Sequence, residues 1–166
     1  MSVRGQLLEY LSTHNVMTLA TIGEDGPWAS AVFYVHEGTT LFFLSSPTTR
    51  HCRNIQYHPR VAATVQEDYS QWDMIKGIQI EGVASRLNAE ESRRIADIYI
   101  RKFTFLKSLK IPMELGAAMQ KVAWYSLTPD FLYWIDNSRG LGNRERIDAD
   151  DTHNSQTDTR HDAGSK

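Results

Sequence analysis

VMTLATIGEDGPWASAVFYVHEGTTLFFLSSPTTRHCRNIQYHPRVAATV, residues 16–65, is the stretch that decides the fold. It opens with VMTLATI, dense in β-branched and apolar residues, and closes that run with GEDGP. Gly23, Asp25, Gly26 and Pro27 are the residue types that tight hairpin turns need for their unusual backbone angles. The chain returns as WASAVFYVHE, turns at Gly38 and goes out again as TTLFFLSS, an antiparallel meander. A doubly wound parallel sheet needs a helix between successive strands, and no helix fits between these three.

After Ser46 the period changes. TTRHCRNIQYH begins with a threonine suited to an N-cap, and Cys52 and Ile55 fall on one face of a short helix. Pro59 ends it, because the residue before a proline is pushed out of the α region. RVAATVQE and the alternating KGIQIEGVASRL return to strand character. Residues 89–102, AEESRRIADIYIRK, start acidic and finish basic, which suits a helix dipole. Residues 103–120 read as helical pieces broken at Pro112, and KVAWYSLTPDFLYWID as a last strand with a bulge or break at its Thr-Pro step. At the other end, Val3, Leu7, Leu8 and Leu11 recur at helical spacing over residues 3–14. The sum is an α+β chain with six strands in an antiparallel barrel and helices at its periphery. The domain is expected over residues 1–147, followed by a disordered polar tail over 148–166, which has no large apolar residue after Ile147.

Composition narrows the function classes. A net charge of −2 gives no general attraction for nucleic acid. No run reaches the roughly 18–20 uncharged apolar residues that span a bilayer, and the N-terminal MSVRGQLLEYLSTHN has no continuous apolar core of the signal-peptide kind. Cys52 is the single cysteine, which rules out an internal disulfide and a multi-cysteine zinc site. The expectation is a cytoplasmic protein without nucleic-acid or membrane partners. The histidines are scattered, with no i, i+4 pair beside carboxylates, so no protein-only metal site is expected.

Chemistry concentrates where the third strand runs into the short helix. Free N–H groups at a helix start, the hydroxyls of Thr48 and Thr49 and the guanidinium of Arg50 together suit a phosphate monoester. The residues alone fit an ordinary N-cap flanked by surface arginines at least as well. Cys52 on the same helix reads as a small core residue.

The order of GEDGPWASAVFYV, LFFLSS, TRHCRNI, HPRVAATV and IQIEGVA resembles the pyridoxamine 5′-phosphate oxidase-like FMN-binding split-barrel family, in a small bacterial subgroup with Thr-Arg-His at the phosphate turn. The run His58-Pro59-Arg60-Val61 is its best single signature, and the likeness covers about residues 8–140. The resemblance implies FMN as cofactor and a homodimer in which each flavin is completed by the partner subunit. It implies that Ser30, Ala31 and Val32 pass along the flavin, that Leu44 and Ser45 lie beside the ribityl chain, and that Thr49, Arg50 and His51 grip the phosphate. Trp134 and Arg146, or Arg144 in its place, are the positions that would reach the partner's flavin; the residues alone fit as well a core tryptophan and solvated arginines. The sequence departs from the family at three points. His51 replaces a lysine, Ser30 replaces an arginine, and Gly77 stands where relatives carry a glutamine. The altered second-strand arginine argues against pyridoxamine 5′-phosphate oxidase activity itself. The expectation is an FMN-dependent oxidoreductase or flavin reductase-like enzyme with no identifiable acid-base residue. The alternatives are a non-catalytic flavin-binding or sensing module, a haem-binding barrel using His51 or His14, and a deazaflavin F420 binder.

Overall fold

A computed structural model describes residues 1–104 and 121–149. Helix α1 (Val3–Thr13) leads into strands β1 (Val16–Gly23), β2 (Gly26–Glu37) and β3 (Thr40–Ser45), then helix α2 (Arg50–Tyr57) and strand β4 (Arg60–Gln66). A single turn of 3₁₀ helix at Trp72–Met74 precedes β5 (Lys76–Arg86), which is followed by α3 (Ala89–Lys102), β6 (Ala123–Asp136) and β7 (Arg144–Asp148). The sheet order is β3-β2-β1-β4-β5-β6-β7, and an additional β3–β6 pairing closes the first six strands into a barrel. All pairings are antiparallel.

The helix ends follow local chemistry. Ser2 accepts the Gly5 N–H at the start of α1. Asn88 and Glu91 form a reciprocal capping box on α3, whose acidic first turn and basic last turn complement the dipole. Within the strands, alternate residues enter the barrel: Met17 and Leu19 from β1, Tyr34 from β2, Ile78 and Ile80 from β5, and Leu132 and Trp134 from β6 are all buried. Leu7 and Leu11 of α1 plug this core with no exposed surface, each worth about 1.5–3 kcal/mol of burial. On the outside, Val35 and Phe42 meet Ile95 and Tyr99 of α3 and Phe103 just beyond it in a second, smaller core.

The Thr-Pro step of β6 resolves as a bulge within a continuous strand. Glu81 pairs with Phe131 but Gly82 pairs with Pro129, so Asp130 is the extra residue. Gly82 is required there: a Cβ would stand 2.2 Å from the Thr128 carbonyl oxygen.

The six-stranded barrel expected from the sequence is present, and β7 adds a seventh strand that pairs with β6 from Phe131 to Ile135. Its sequence, Arg-Glu-Arg-Ile-Asp, turns only Ile147 into the core. It is held by ladder hydrogen bonds that need no apolar pattern. Asp148, assigned by sequence to the start of the polar tail, closes this strand. Residues 150–166 of that tail, and the helical pieces expected over 105–120, lie outside the described residues.

Candidate functional site

Helix α2 lies across the β1–β2 hairpin, and Gly23 lets it approach. A Cβ on Gly23 would stand 2.1 Å from Asn54 Oδ1. Asn54 is buried and donates through Nδ2 to Thr21 Oγ1 at 3.0 Å, locking helix to strand. This seat brings four of the sequence-predicted residues together.

His51 is their hub, 8% exposed. Its Nδ1 is 3.2 Å from Ser30 Oγ on β2. Its Nε2 is 2.7 Å from Ser45 Oγ at the end of β3 and 3.2 Å from Thr49 Oγ1. Thr49 spends its own hydroxyl proton on the Ser46 carbonyl at 2.8 Å, so it can only accept from His51. A proton on Nε2 and a hydroxyl donated by Ser30 to Nδ1 then satisfy every contact.

Thr49 is the N-cap of α2 by position, yet its side chain makes no capping hydrogen bond. The ordinary N-cap allowed by the sequence is therefore not what this turn uses. The first N–H groups of α2 keep their capacity for an acceptor. Arg50, the first residue of the helix, sends Nη2 to the Asp25 carbonyl at 2.8 Å and stacks its guanidinium 4.5 Å above the Trp28 ring. Its Nε is buried with no acceptor. Arg53 donates to the Thr48 carbonyl, bracing the turn from below. Between α2 and the hairpin lies a cleft of about 550 Å³ lined by Arg50, Arg53, Tyr57 and His58.

Cys52 is more than a core filler. Burial pushes its thiol up, but the polar neighbours His51, Thr49, Tyr125 and Ser45 outweigh it and bring the thiol down to about 7. Burial and the Cys52 contact push the Tyr125 phenol up in turn. The thiol lines a second cleft of about 470 Å³ on the other flank of α2, beside Arg86 and Gln56. Its place next to His51 was visible in the sequence; its partners from β3 and β6 were not.

The remaining predicted residues are spread over the barrel. Ala31 is exposed on the outer face opposite Thr18, whereas Val32 is buried in the core. Leu44 is half-buried opposite Trp124. The structure does not bring Trp134 to the outer surface: it is 3% exposed inside the barrel, edge-on to Tyr10. Arg146 lies on β7, 4.6 Å above the Phe131 ring and 3.3 Å from Asp148 Oδ1. Arg144, its alternative, reaches Gln79 Oε1 at 3.2 Å. No group of three or more histidine, cysteine or acidic residues that could hold a metal occurs among the described residues. No helix among them is long and apolar enough to cross a membrane.

Comparison with known proteins gives a consistent picture. The family described as pyridoxamine 5′-phosphate oxidase matches residues 3–133. A UPF0306 protein of Klebsiella pneumoniae is 28% identical over 137 residues, 81% of this chain and 86% of the relative. Among solved structures, a haem binding protein from Mycobacterium smegmatis superposes with a TM-score of 0.70 at 21% identity, covering 89% of this chain. The chain spans only 58% of that protein's length. HutZ, the haem storage protein from Vibrio cholerae, superposes with a TM-score of 0.63 at 22% identity, covering 78% of this chain and 91% of its own. At these identities the two structures establish a shared fold.

Proposed function

The chain belongs to the pyridoxamine 5′-phosphate oxidase family, and from that premise we propose that it is a cytoplasmic FMN-binding oxidoreductase working as a homodimer. The observation that carries the reading is the start of α2. An uncapped helix N-terminus stands beside Arg50, whose Nε is buried without an acceptor. A phosphate monoester supplies acceptors for both, with its charge favoured by the helix dipole. Thr49 and Ser45 line the path from this turn toward β3, and the β2 backbone at Ser30, Ala31 and Val32 would run along the flavin. Bound FMN would supply the redox chemistry, and the chain supplies position and electrostatics.

His51 does not replace the family lysine as a free cation. Both ring nitrogens are engaged by Ser30, Ser45 and Thr49, so its role is to fix the turn. Arg50 is then the principal side-chain cation for the phosphate. Ser30, where relatives carry an arginine, spends its hydroxyl on His51. We therefore do not extend pyridoxamine 5′-phosphate oxidase activity to this chain.

The dimer is supported by the outer face of the sheet. Thr18, Ala20, Ala31 and Ala62 form a small-residue surface across β2-β1-β4, flanked by exposed Val16, Ile22 and Phe33. Such a surface suits a flat, close subunit contact. A single species of about 19 kDa in sedimentation would overturn it.

The test is titration of FMN and riboflavin into the native chain and Arg50→Ala. Losing one guanidinium–phosphate contact should cost FMN about 1.5–3 kcal/mol, one to two decades in Kd. Riboflavin, without the phosphate, should bind both proteins alike. Equal weakening of both ligands would remove the phosphate assignment. A haem-binding reading is favoured by the two haem-associated proteins that share the fold. A Soret band with no flavin binding would establish it over FMN. His51 and His14 would each have to give up an existing hydrogen bond to ligate iron.

A further inference from the structure

The cleft of about 470 Å³ on the flank of α2 away from the hairpin ends on two reactive groups. Pro47, Ile55 and Ala84 give it apolar walls, and Cys52 and Tyr125, each 4% exposed, line its depth. No carboxylate of the described residues faces it, and Arg86 does.

The Tyr125 phenol has no other use in the fold. Its ring pairs with Phe43 across the β3–β6 ladder and stacks on it, centroids 5.3 Å apart. Its hydroxyl makes no hydrogen bond to a nitrogen or oxygen among the described residues, and its polar neighbour is the Cys52 thiol. Nor is that hydroxyl sealed in: the buried side-chain atoms left without a partner are Arg50 Nε, Trp134 Nε1 and Asn143 Oδ1. Tyr125 Oη therefore opens on the cleft with a proton to donate.

The thiol's other polar neighbours are His51, Thr49 and Ser45. They hold one another in place, with His51 Nε2 at 2.7 Å from Ser45 Oγ and 3.2 Å from Thr49 Oγ1. A cysteine in apolar surroundings has its thiol pushed up and is inert. Here the polar shell overrides burial and holds the thiol at about 7, so thiolate is present at neutral pH. A buried nucleophile and a free donor meet at the end of one cleft. Only a small electrophile can reach both.

We propose that Cys52 is a modification site for hydroperoxides, which oxidise it to a sulfenic acid while the Tyr125 phenol hydrogen-bonds the departing oxygen. The thiolate sulfur attacks one peroxide oxygen; the S–O bond forms as the O–O bond breaks. Sulfur loses two electrons, the peroxide gains them, and the departing hydroxide takes a proton from water. Tyr125 stabilises that oxygen without giving up its proton, because burial raises its phenol. Cys52 is the single cysteine, so the sulfenic acid has no partner thiol in its own chain. The inference is independent of the flavin reading, since no step uses a bound cofactor.

The experiment treats the full-length protein with hydrogen peroxide near pH 7 and a cyclic diketone that traps sulfenic acids, and follows the adduct by mass. The adduct distinguishes this product from oxidation of the five methionines, which the diketone does not label. Native protein should form it at least about tenfold faster than the same chain unfolded in urea, whose thiol is ordinary. Cys52→Ser should form none. Tyr125→Phe keeps the stacked ring and removes the donor, and should react several-fold more slowly than native when folded but at the same rate in urea. Native protein reacting no faster than unfolded chain would make Cys52 an inert core residue and overturn the proposal. Folded Tyr125→Phe reacting at the native rate would overturn the role of the phenol. The native-to-unfolded comparison needs no substitution, so it decides the matter even where Tyr125→Phe does not fold.

Discussion

The imidazole of His51 meets the hydroxyl of Ser30 at 3.2 Å, across twenty-one positions of sequence. That contact ties the first turn of α2 to the middle of β2, and the opposite ring nitrogen ties it to the end of β3 through Ser45. The phosphate turn is thus held by a side-chain network as well as by its own backbone.

Replacing His51 with alanine should leave the hydroxyls of Ser30 and Ser45 without their partner. Unsatisfied groups of this kind cost about 1–3 kcal/mol, and for a chain of this size each kcal/mol lowers Tm by roughly 2–4 °C. Ser30→Ala should cost less, because Ser45 and Thr49 still hold Nε2. In a double-mutant cycle the two changes should couple; strict additivity of the two Tm shifts would show that the 3.2 Å contact contributes nothing.

Cys52 should give a pH signature. Its thiol is brought from the ordinary 9.0 to about 7 in the folded chain. Between these values the unfolded chain binds the extra proton, so this group makes stability rise with pH across that window and lose its contribution as pH falls through about 7. Urea midpoints of the native chain should therefore gain on those of Cys52→Ala between pH 7 and 9. A constant gap across the window would contradict the lowered thiol.

The buried tyrosines act in the opposite sense at high pH. Burial raises the phenols of Tyr10, Tyr34 and Tyr125, and pushes Tyr99 up to about 12. The unfolded chain therefore loses these protons first once pH passes the ordinary 10.0, and stability falls from there. Lys102, pushed down to about 8 by burial, adds stability as pH rises from there to its ordinary 10.5. The urea midpoint should climb from about pH 7 through the Cys52 thiol and further from about pH 8 through Lys102, then turn over and fall beyond about pH 10 as the phenols ionise. Ultraviolet titration of the folded protein should show these four of its seven tyrosines ionising late. Early ionisation of all seven would show that their burial is not maintained.

Gly82→Ala should be severely destabilising. Its methyl group would overlap the Thr128 carbonyl at 2.2 Å and the Pro129 Cα at 2.7 Å, both backbone atoms. Relief requires undoing the bulge, so the loss should meet or exceed the roughly 1–3 kcal/mol of ordinary overpacking. A normal Tm would mean that β6 can shift its register against β5 without cost.

The sequence by itself determined the barrel. Period-two alternation, the Gly-Glu-Asp-Gly-Pro turn and the absence of a helix between the first three strands are local signals, because side-chain period and turn angles are set within a few residues. It also placed the start of α2, where a threonine, an arginine and a histidine follow one another. Tertiary structure alone decided what those residues do. Whether Thr49 caps its helix, whether His51 faces solvent or Ser30, and whether Arg50 leans on Trp28 depend on strands brought alongside by barrel closure. The same holds for β7, whose polar residues are strand only because β6 offers its free edge. Trp134 makes the point most directly. Its place in the chain resembled that of a residue reaching a partner's flavin, but the alternation of β6 turns its neighbour Tyr133 outward and Trp134 into the core.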